Sequence, residues 1–318
     1  MTDGKAVDRV MDDGRTIDSE MTDGKMMDGK TIDGKTRLCG LIGNPVEHTM
    51  SPVIHNTLAG HCGHNLVYVP FLVEEGNLAD AVRGAYALNV LGLNVTVPYK
   101  SAVIDSLVET DDLAARIGAV NTLVRTEGGY KGYNTDMSGL YRAMVSEGIR
   151  IEGEEIVLLG AGGAARAVAY LCGEQKAGKV WLLNRTYEKA ERVAEEVNAA
   201  FGREVVVPML LSDYEKLPER KFLAIQGTSV GLAPKEDDVV IEDAAFYRKI
   251  HTGFDLIYKP FTTRFMRLVR EAGGEAYNGL KMLLYQGIIA YELWNQVEIT
   301  EKEAALVYDR MKREMGIS

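Results

Sequence analysis

Glu154-Glu155-Ile156-Val157-Leu158-Leu159 reads as a short buried strand and runs directly into Gly160-Ala161-Gly162-Gly163-Ala164-Ala165; Arg166 to Cys172 then continue at helical spacing. Few features constrain a fold as much. Strand, glycine turn and helix in that order form a dinucleotide fingerprint in its G-x-G-x-x-A variant. Gly160 allows the tight turn, Gly162 lets the backbone approach a pyrophosphate, and Ala165 lets the helix pack closely on the strand. The helix N-terminus adds backbone N–H groups and a positive dipole end for phosphates. A plain tight strand-to-helix turn is the competing reading of the glycines alone.

The next strand pattern, Lys179-Val-Trp-Leu-Leu183, ends in Asn184-Arg185-Thr186. A site for NAD usually places Asp or Glu here to bond the ribose 2′-hydroxyl. No carboxylate stands at this strand end. A guanidinium flanked by neutral polar groups suits a 2′-phosphate, which arginine can bond through two oxygens at once. Arg185 also reads as an exposed helix-start residue, with Glu188 close behind. NADP is the favoured cofactor.

Upstream, Val90-Leu91-Gly92-Leu93 leads into Asn94-Val-Thr-Val-Pro-Tyr-Lys100, with Val95 and Val97 continuing the strand until Pro98 stops the ladder. An isolated lysine is usually a solvated charge. Lys100, however, emerges at a strand end beside Asn94 and Thr96, the place where α/β proteins hold ligands. Farther on, Gly118-Ala-Val-Asn121-Thr and Gly132-Tyr-Asn-Thr-Asp136 each set a polar side chain near a turn glycine. Asn121 and Asp136 read either as turn formers or as site residues. Asp136 precedes a helical stretch (137–147) at the seam before the dinucleotide strand, where active sites favour domain junctions, and a carboxylate there can orient Lys100.

The first strand, Leu38 to Ile42, is followed by the loop Gly43-Asn-Pro-Val-Glu-His-Thr49-Met-Ser51-Pro52, and Pro52 suits the first turn of a helix over 53–58. The hydroxyls of Thr49 and Ser51 can hold a carboxylate there, and Ser51 also reads as an N-cap. His55, His61, Cys62 and His64 match no closed zinc spacing, so no metal is expected.

With 318 residues the chain has room for about two domains at the usual ~100–200 residues each. A net charge of −10 argues against a nucleic-acid groove, and no apolar run reaches the ~18 residues of a membrane span. No secretory signal is expected at the N-terminus, and three scattered cysteines, Cys39, Cys62 and Cys172, fit a reduced cytoplasmic protein. Residues 1–35 divide into seven pentads with Asp3, Asp8, Asp13, Asp18, Asp23, Asp28 and Asp33 at the third positions. A period of five builds no continuous apolar face on a helix or a strand, so residues 1–36 are expected to be a disordered extension.

Taken in order, the segments G-N-P-x-x-H-T-x-S-P, N-V-T-x-P-x-K, G-A-x-N-T, N-T-D, G-A-G-G-A and N-R-T resemble shikimate dehydrogenases. Thr228-Ser-Val-Gly231, Asp255-Leu-Ile-Tyr258-Lys-Pro260 with Thr263, and Gly279-Leu-Lys-Met-Leu with Gln286 and Tyr291-Glu-Leu-Trp294 extend the resemblance to about Val297. It implies an α/β protein of two domains, a substrate domain over 37–136 completed by 279–318 and a Rossmann-like NADP domain over 137–278. It further implies reversible reduction of 3-dehydroshikimate to shikimate with NADPH, a step towards chorismate and the aromatic amino acids. Carried over by position, Lys100 is the acid–base residue with Asp136 as partner. Thr49 and Ser51 hold the substrate carboxylate, and Asn94, Thr96, Asn121, Asp136, Tyr258 and Gln286 surround the ring hydroxyls. Gly160, Ala161, Gly162, Gly163, Ala164, Asn184, Arg185, Thr186, Thr228 and Gly279 serve the cofactor. Small-molecule substrates are the expected partners, with neither nucleic acid nor membrane, and the chain is expected as a monomer or homodimer.

Thr49 stands where the family usually has Ser, Gln226 where it has Asn, and Lys259 where it commonly has Asn. None of these changes removes a catalytic group. A quinate or dual-specificity dehydrogenase shares every motif. A methylenetetrahydrofolate dehydrogenase does not fit the G-N-P…S-P and N-T-D segments, and a non-catalytic metabolite sensor is disfavoured by intact Lys100 and Asp136.

Overall fold

The computed structural model describes residues 32–317. The expected disorder over residues 1–31 lies outside the described residues. The last pentad is partly ordered, contrary to a disordered stretch reaching residue 36. Asp33 Oδ1 accepts from Lys35 N and from Asn65 Nδ2, each at 2.9 Å, and Thr36 Oγ1 donates to Asn65 Oδ1 at 2.8 Å. Asp-Gly supplies a turn here that Asn65 ties to the folded body.

The first half of the chain builds β1 (Arg37–Gly43), α1 (Ser51–His61), β2 (Leu66–Leu72), α2 (Leu78–Ala87), β3 (Gly92–Val95), β4 (Glu109–Thr110), α3 (Asp112–Ile117), β5 (Thr122–Thr126), β6 (Gly129–Tyr133) and α4 (Thr135–Ser146). Its six strands lie in the order β2-β1-β3-β5-β6-β4, with β1 parallel to both β2 and β3. Strand β3 stops at Val95, two residues earlier than the alternation through Val97 predicts. Val97 is exposed, and Asn44 N takes its carbonyl in a loop contact.

The second half contains β7 (Glu155–Leu159), α5 (Gly163–Glu174), β8 (Lys179–Asn184), α6 (Tyr187–Phe201), β9 (Val206–Leu210), β10 (Phe222–Gln226), α7 (Ala244–Arg248), β11 (Ile250–Asp255), α8 (Arg264–Glu271) and β12 (Glu275–Tyr277). Every pairing is parallel, and the order is β12-β11-β10-β7-β8-β9. Strands β8 and β9 are added on one side of β7, whereas β10 to β12 lie on the other. The strand order therefore reverses between β7 and β10, and the crevice at that point is where doubly wound sheets bind ligands.

Two closing helices, α9 (Leu280–Asn295) and α10 (Glu301–Glu314), return to the first sheet and pack on α1. Trp294 is buried at the end of α9, and its Nε1 donates to Leu123 O on β5 at 2.9 Å. Helix α4 crosses α9 very closely. A Cβ on Gly139 would lie 2.5 Å from Gln286 N, so a side chain there would force the helices apart. Among the described residues no helix is long and apolar enough to cross a membrane.

Candidate active site at the seam between the two sheets

Lys100 leaves the loop after β3, and Asp136 lies in the first turn of α4, a residue inside the helix that the sequence pattern begins at 137. Lys100 Nζ donates to Asp136 Oδ2 at 2.7 Å, with side chains about a third and a fifth exposed. Asn134 caps α4 by accepting from Met137 N at 3.3 Å, and the positive end of the helix favours a carboxylate at Asp136. Lys100 is anchored from behind as well, because its carbonyl accepts from Val120 N at 2.7 Å.

A buried amide network forms the floor. Asn121 Oδ1 accepts from Thr135 N at 2.7 Å and from the hydroxyls of Thr122 and Thr135 at 3.1 Å each. Its Nδ2 has no partner among the described residues and borders the cleft, which leaves two donors for a ligand. Asn94 is more fully engaged. Its Oδ1 accepts from Tyr68 Oη at 2.8 Å, and its Nδ2 donates to Asn121 O at 3.2 Å and Thr122 Oγ1 at 3.1 Å. Tyr68 and Thr135, which sequence reading did not single out, thus orient the amides that it did.

At the opposite wall Thr49 Oγ1 donates to Ser51 Oγ at 3.2 Å and accepts from Ser51 N at 3.2 Å. Ser51 is not the N-cap of α1; Met50 holds that place without a side-chain cap, and Ser51 opens the helix beside Pro52. Its hydroxyl is therefore not used for capping. Gln286 is directed inward from α9 by a bond from its Nε2 to Leu283 O at 2.8 Å. Thr49, Ser51, Asn94, Thr96, Lys100, Asn121, Asp136, Tyr258 and Gln286 border one cleft of about 240 Å³.

His48 and Tyr258 also line a second, larger cleft of about 940 Å³, so the two spaces adjoin. Gly160 to Ala164, Asn184, Gly227, Thr228 and Lys259 form its other walls. Gly160 follows β7 at φ +102, where a Cβ would meet Thr228 Cγ2 at 2.6 Å. Side chains at Gly162 and Gly163 would meet no protein atom within 4 Å, so that face of the turn is open to the cleft. Gly162 caps α5 and leaves the first N–H groups of the helix free for an anion. The donor set fits a dinucleotide.

Arg185 lines a neighbouring hollow of about 470 Å³ together with Gly160, Asn184 and Thr228, which places a guanidinium at the end of β8. It is exposed and makes no ion pair among the described residues. Asn184 Nδ2 donates to Thr186 O at 2.8 Å and holds this turn. Thr186 and Gly279 border neither cleft. Gly279 lies under the exit from β11, where a Cβ would stand 2.1 Å from Leu256 O; its backbone N donates to Ile257 O at 3.0 Å. Gly279 thus packs against the segment that carries Leu256, Ile257, Tyr258 and Lys259, which lines the larger cleft.

The departures from the family pattern are accommodated. Gln226 is buried, and its Oε1 accepts from Thr228 N and Thr228 Oγ1 at 2.7 Å each, while Nε2 donates to Val230 O at 3.0 Å. The longer amide therefore holds the loop that carries Thr228. Asp255, at the end of β11, accepts from Thr263 Oγ1 at 2.7 Å and Ile257 N at 3.0 Å, which fixes the segment bearing Tyr258. Burial raises the Asp255 carboxyl to about 6 against the opposing pull of those bonds. Burial likewise raises the Tyr258 phenol.

The histidine cluster is dispersed. His61 lies 3.4 Å from Glu303, His64 Nδ1 is 2.6 Å from Tyr291 Oη, and His55 is buried in a stack with Tyr68 at 4.2 Å.

A family profile described as shikimate dehydrogenase substrate binding domain matches residues 41–123, and one described as shikimate / quinate 5-dehydrogenase matches residues 143–218. The shikimate dehydrogenase (NADP(+)) of Moorella thermoacetica is 42% identical over 287 residues, covering 89% of this chain and 95% of its own. A crystal structure of a shikimate dehydrogenase in complex with NADP+ superposes with a TM-score of 0.80 at 35% identity, covering 90% of this chain and 98% of its own. The shikimate 5-dehydrogenase of Listeria monocytogenes, solved with shikimate and NAD, gives a TM-score of 0.80 at 31% identity, with 89% and 98% covered.

Proposed function

Because the chain belongs to the shikimate dehydrogenase family, we propose that the Lys100–Asp136 pair carries the reaction of that family, reversible NADPH-dependent reduction of 3-dehydroshikimate to shikimate. The protein is an NADP-dependent oxidoreductase acting on a CH–OH group, in the route to chorismate and the aromatic amino acids. The observation that carries the site assignment is the ammonium–carboxylate pair, held at 2.7 Å in a cleft that adjoins the glycine-turn cleft.

The bound cofactor supplies a hydride from its nicotinamide ring. Lys100 donates a proton to the substrate oxygen as that oxygen gains negative charge, and withdraws it in the reverse direction. Asp136 fixes the ammonium and accepts from a neighbouring ring hydroxyl. Asn121 Nδ2 and Gln286 Oε1 offer a donor and an acceptor to the remaining hydroxyls, with Thr96 and Tyr258 beside them. Thr49 and Ser51, which border the same cleft as Lys100, hold the substrate carboxylate. Asn94 acts mainly by orienting Asn121, since both its donors are engaged.

Gly160 to Ala164 cradle the pyrophosphate, Thr228 borders the same cleft, and Arg185 with Asn184 receives the 2′-phosphate. We assign residues 37–136 with 279–318 to the substrate domain and 137–278 to the cofactor domain, and place the protein in the cytoplasm as a monomer or homodimer. The test is NADPH oxidation followed at its absorbance with 3-dehydroshikimate as substrate. Turnover supports the assignment, and its absence with purified, folded protein overturns it.

A further inference from the structure

Arg166 lies in the first turn of α5, just beyond the glycine turn, and its guanidinium reaches across the seam. On its own side Nε donates to Glu196 Oε2 on α6 at 2.8 Å, and Nη2 contacts the second oxygen of that carboxylate. Across the seam Nη1 donates to Ile117 O, and Nη2 to Arg116 O at 3.4 Å. These are the last carbonyls of α3, which have no intrahelical donor and suit a cationic partner. Tyr170, one turn along α5, lies under the guanidinium at 5.3 Å and restricts its swing.

The end of α3 leads directly to the catalytic groups. Gly118 closes the helix at φ +71. Ala119 O accepts from Asn134 Nδ2, the cap of the helix bearing Asp136, at 3.0 Å. Val120 N donates to Lys100 O at 2.7 Å, and Asn121 follows. On the cofactor side Arg166 N donates to Gly162 O at 2.8 Å. One continuous route of hydrogen bonds and short chain segments therefore joins the phosphate-facing turn to the backbone of Lys100.

We propose that Arg166 is a positioning residue, whose guanidinium sets the distance between the cofactor turn and the Lys100–Asp136 pair. The inference rests on the reaction proposed above, because hydride transfer requires the reacting atoms to be held ~3–3.5 Å apart, and a misplacement of ~1 Å from a remote change costs on the order of 10²-fold. Arg166 borders neither cleft, so its effect is on geometry and not on affinity for either ligand alone.

The experiment compares Arg166→Ala, Arg166→Lys and Glu196→Gln with the wild type. Arg166→Ala lowers kcat by roughly 10- to 100-fold, leaves the Kd for NADP+ alone unchanged, and regains part of its kcat in added guanidinium. Arg166→Lys keeps the charge and the helix but loses the fork, so it shows the same kcat loss in smaller degree. Glu196→Gln retains most activity, since the contacts to Ile117 and Arg116 survive. Amide exchange of the peptide 112–121, measured without ligands, is faster in the Arg166 variants. Unchanged kcat and exchange overturn the proposal. So does a kcat loss matched by weaker NADP+ binding, or a Glu196→Gln effect as large as that of Arg166→Ala. Failure of wild-type turnover refutes the substrate assignment separately, and the exchange measurement, which uses no substrate, still decides whether Arg166 holds α3.

Discussion

Lys100 Nζ and Asp136 Oδ2 stand 2.7 Å apart although 36 positions separate them in the chain. One arrives from the loop after β3 and the other from the first turn of α4, and Asn121 stands between the two segments. Thr135 N, the residue before Asp136, donates to Asn121 Oδ1 at 2.7 Å, while the carbonyl of Lys100 accepts from Val120 N. The backbone of each partner is thus held by the same short segment, which makes the pair preorganised.

Replacing Lys100 by Ala removes the proposed acid–base group and is expected to lower kcat by ~10²–10⁴-fold. NADP+ binding should persist, because Lys100 is not part of the glycine-turn cleft. Steady-state kinetics beside a cofactor titration checks both. Near-normal turnover of the purified variant refutes the assignment.

Arg185→Ala should raise the KM for NADPH far more than the KM for NADH. A lost charged hydrogen bond costs about 1.5–3 kcal/mol, roughly ten- to a hundredfold. NADH lacks the 2′-phosphate that Arg185 is assigned to bond. Equal losses with both cofactors would show that Arg185 supports the turn after β8 and does not read the phosphate.

Thr49 is expected to favour shikimate over quinate. Quinate carries an extra hydroxyl on the carbon that bears its carboxylate, so it needs more room beside Thr49 and Ser51. The threonine methyl sits on a χ1-restricted side chain whose Oγ1 is already tied to Ser51. Such steric differences are worth ~1–3 kcal/mol. The ratio of kcat/KM for the two substrates should shift towards quinate in Thr49→Ser; an unmoved ratio excludes Thr49 as the selector.

His55 should make the fold sensitive to acid. Both ring nitrogens are buried without a hydrogen-bond partner, and burial, opposed by the nearby Asn94 amide, lowers the imidazole from 6.5 to about 3. An unfolded His55 takes up a proton below 6.5, whereas the folded one does so only near 3. Its contribution is therefore full above 6.5 and is lost progressively as the pH falls towards 3, by about 2 kcal/mol at pH 5. Denaturant melts of His55→Leu at several pH values isolate this part. The wild-type minus variant stability should fall between pH 7 and pH 5, and a flat difference would mean that water or a rearranged Asn94 satisfies the ring.

Local chemistry made much of this legible. The glycine turn at 160–165 declared both a strand and a helix because no other residue tolerates that backbone at φ +102 so readily. The absence of a carboxylate at 184–186 pointed to NADP by the same local logic. Boundaries were less legible. Val97 continues the β alternation yet lies outside β3, and Ser51 looks like an N-cap yet sits inside α1. Alternation and capping propensity are short-range preferences, and tertiary contacts override them.

By itself, the sequence determined the fold class, the cofactor turn and the identities of the polar groups, since backbone freedom, hydrophobic period and side-chain chemistry belong to single residues and their neighbours. Only the tertiary structure decided how those groups meet. Gly139 reads as a weak point in a helix, yet its missing side chain is what lets α4 and α9 approach, with Asp136 on one and Gln286 on the other. Tyr68 reads as an ordinary strand aromatic, yet its hydroxyl orients Asn94. Arg166 reads as one more helix residue, yet its guanidinium spans the seam. These relations join residues far apart in the chain, and their geometry is set by close packing of whole elements, which no local pattern encodes.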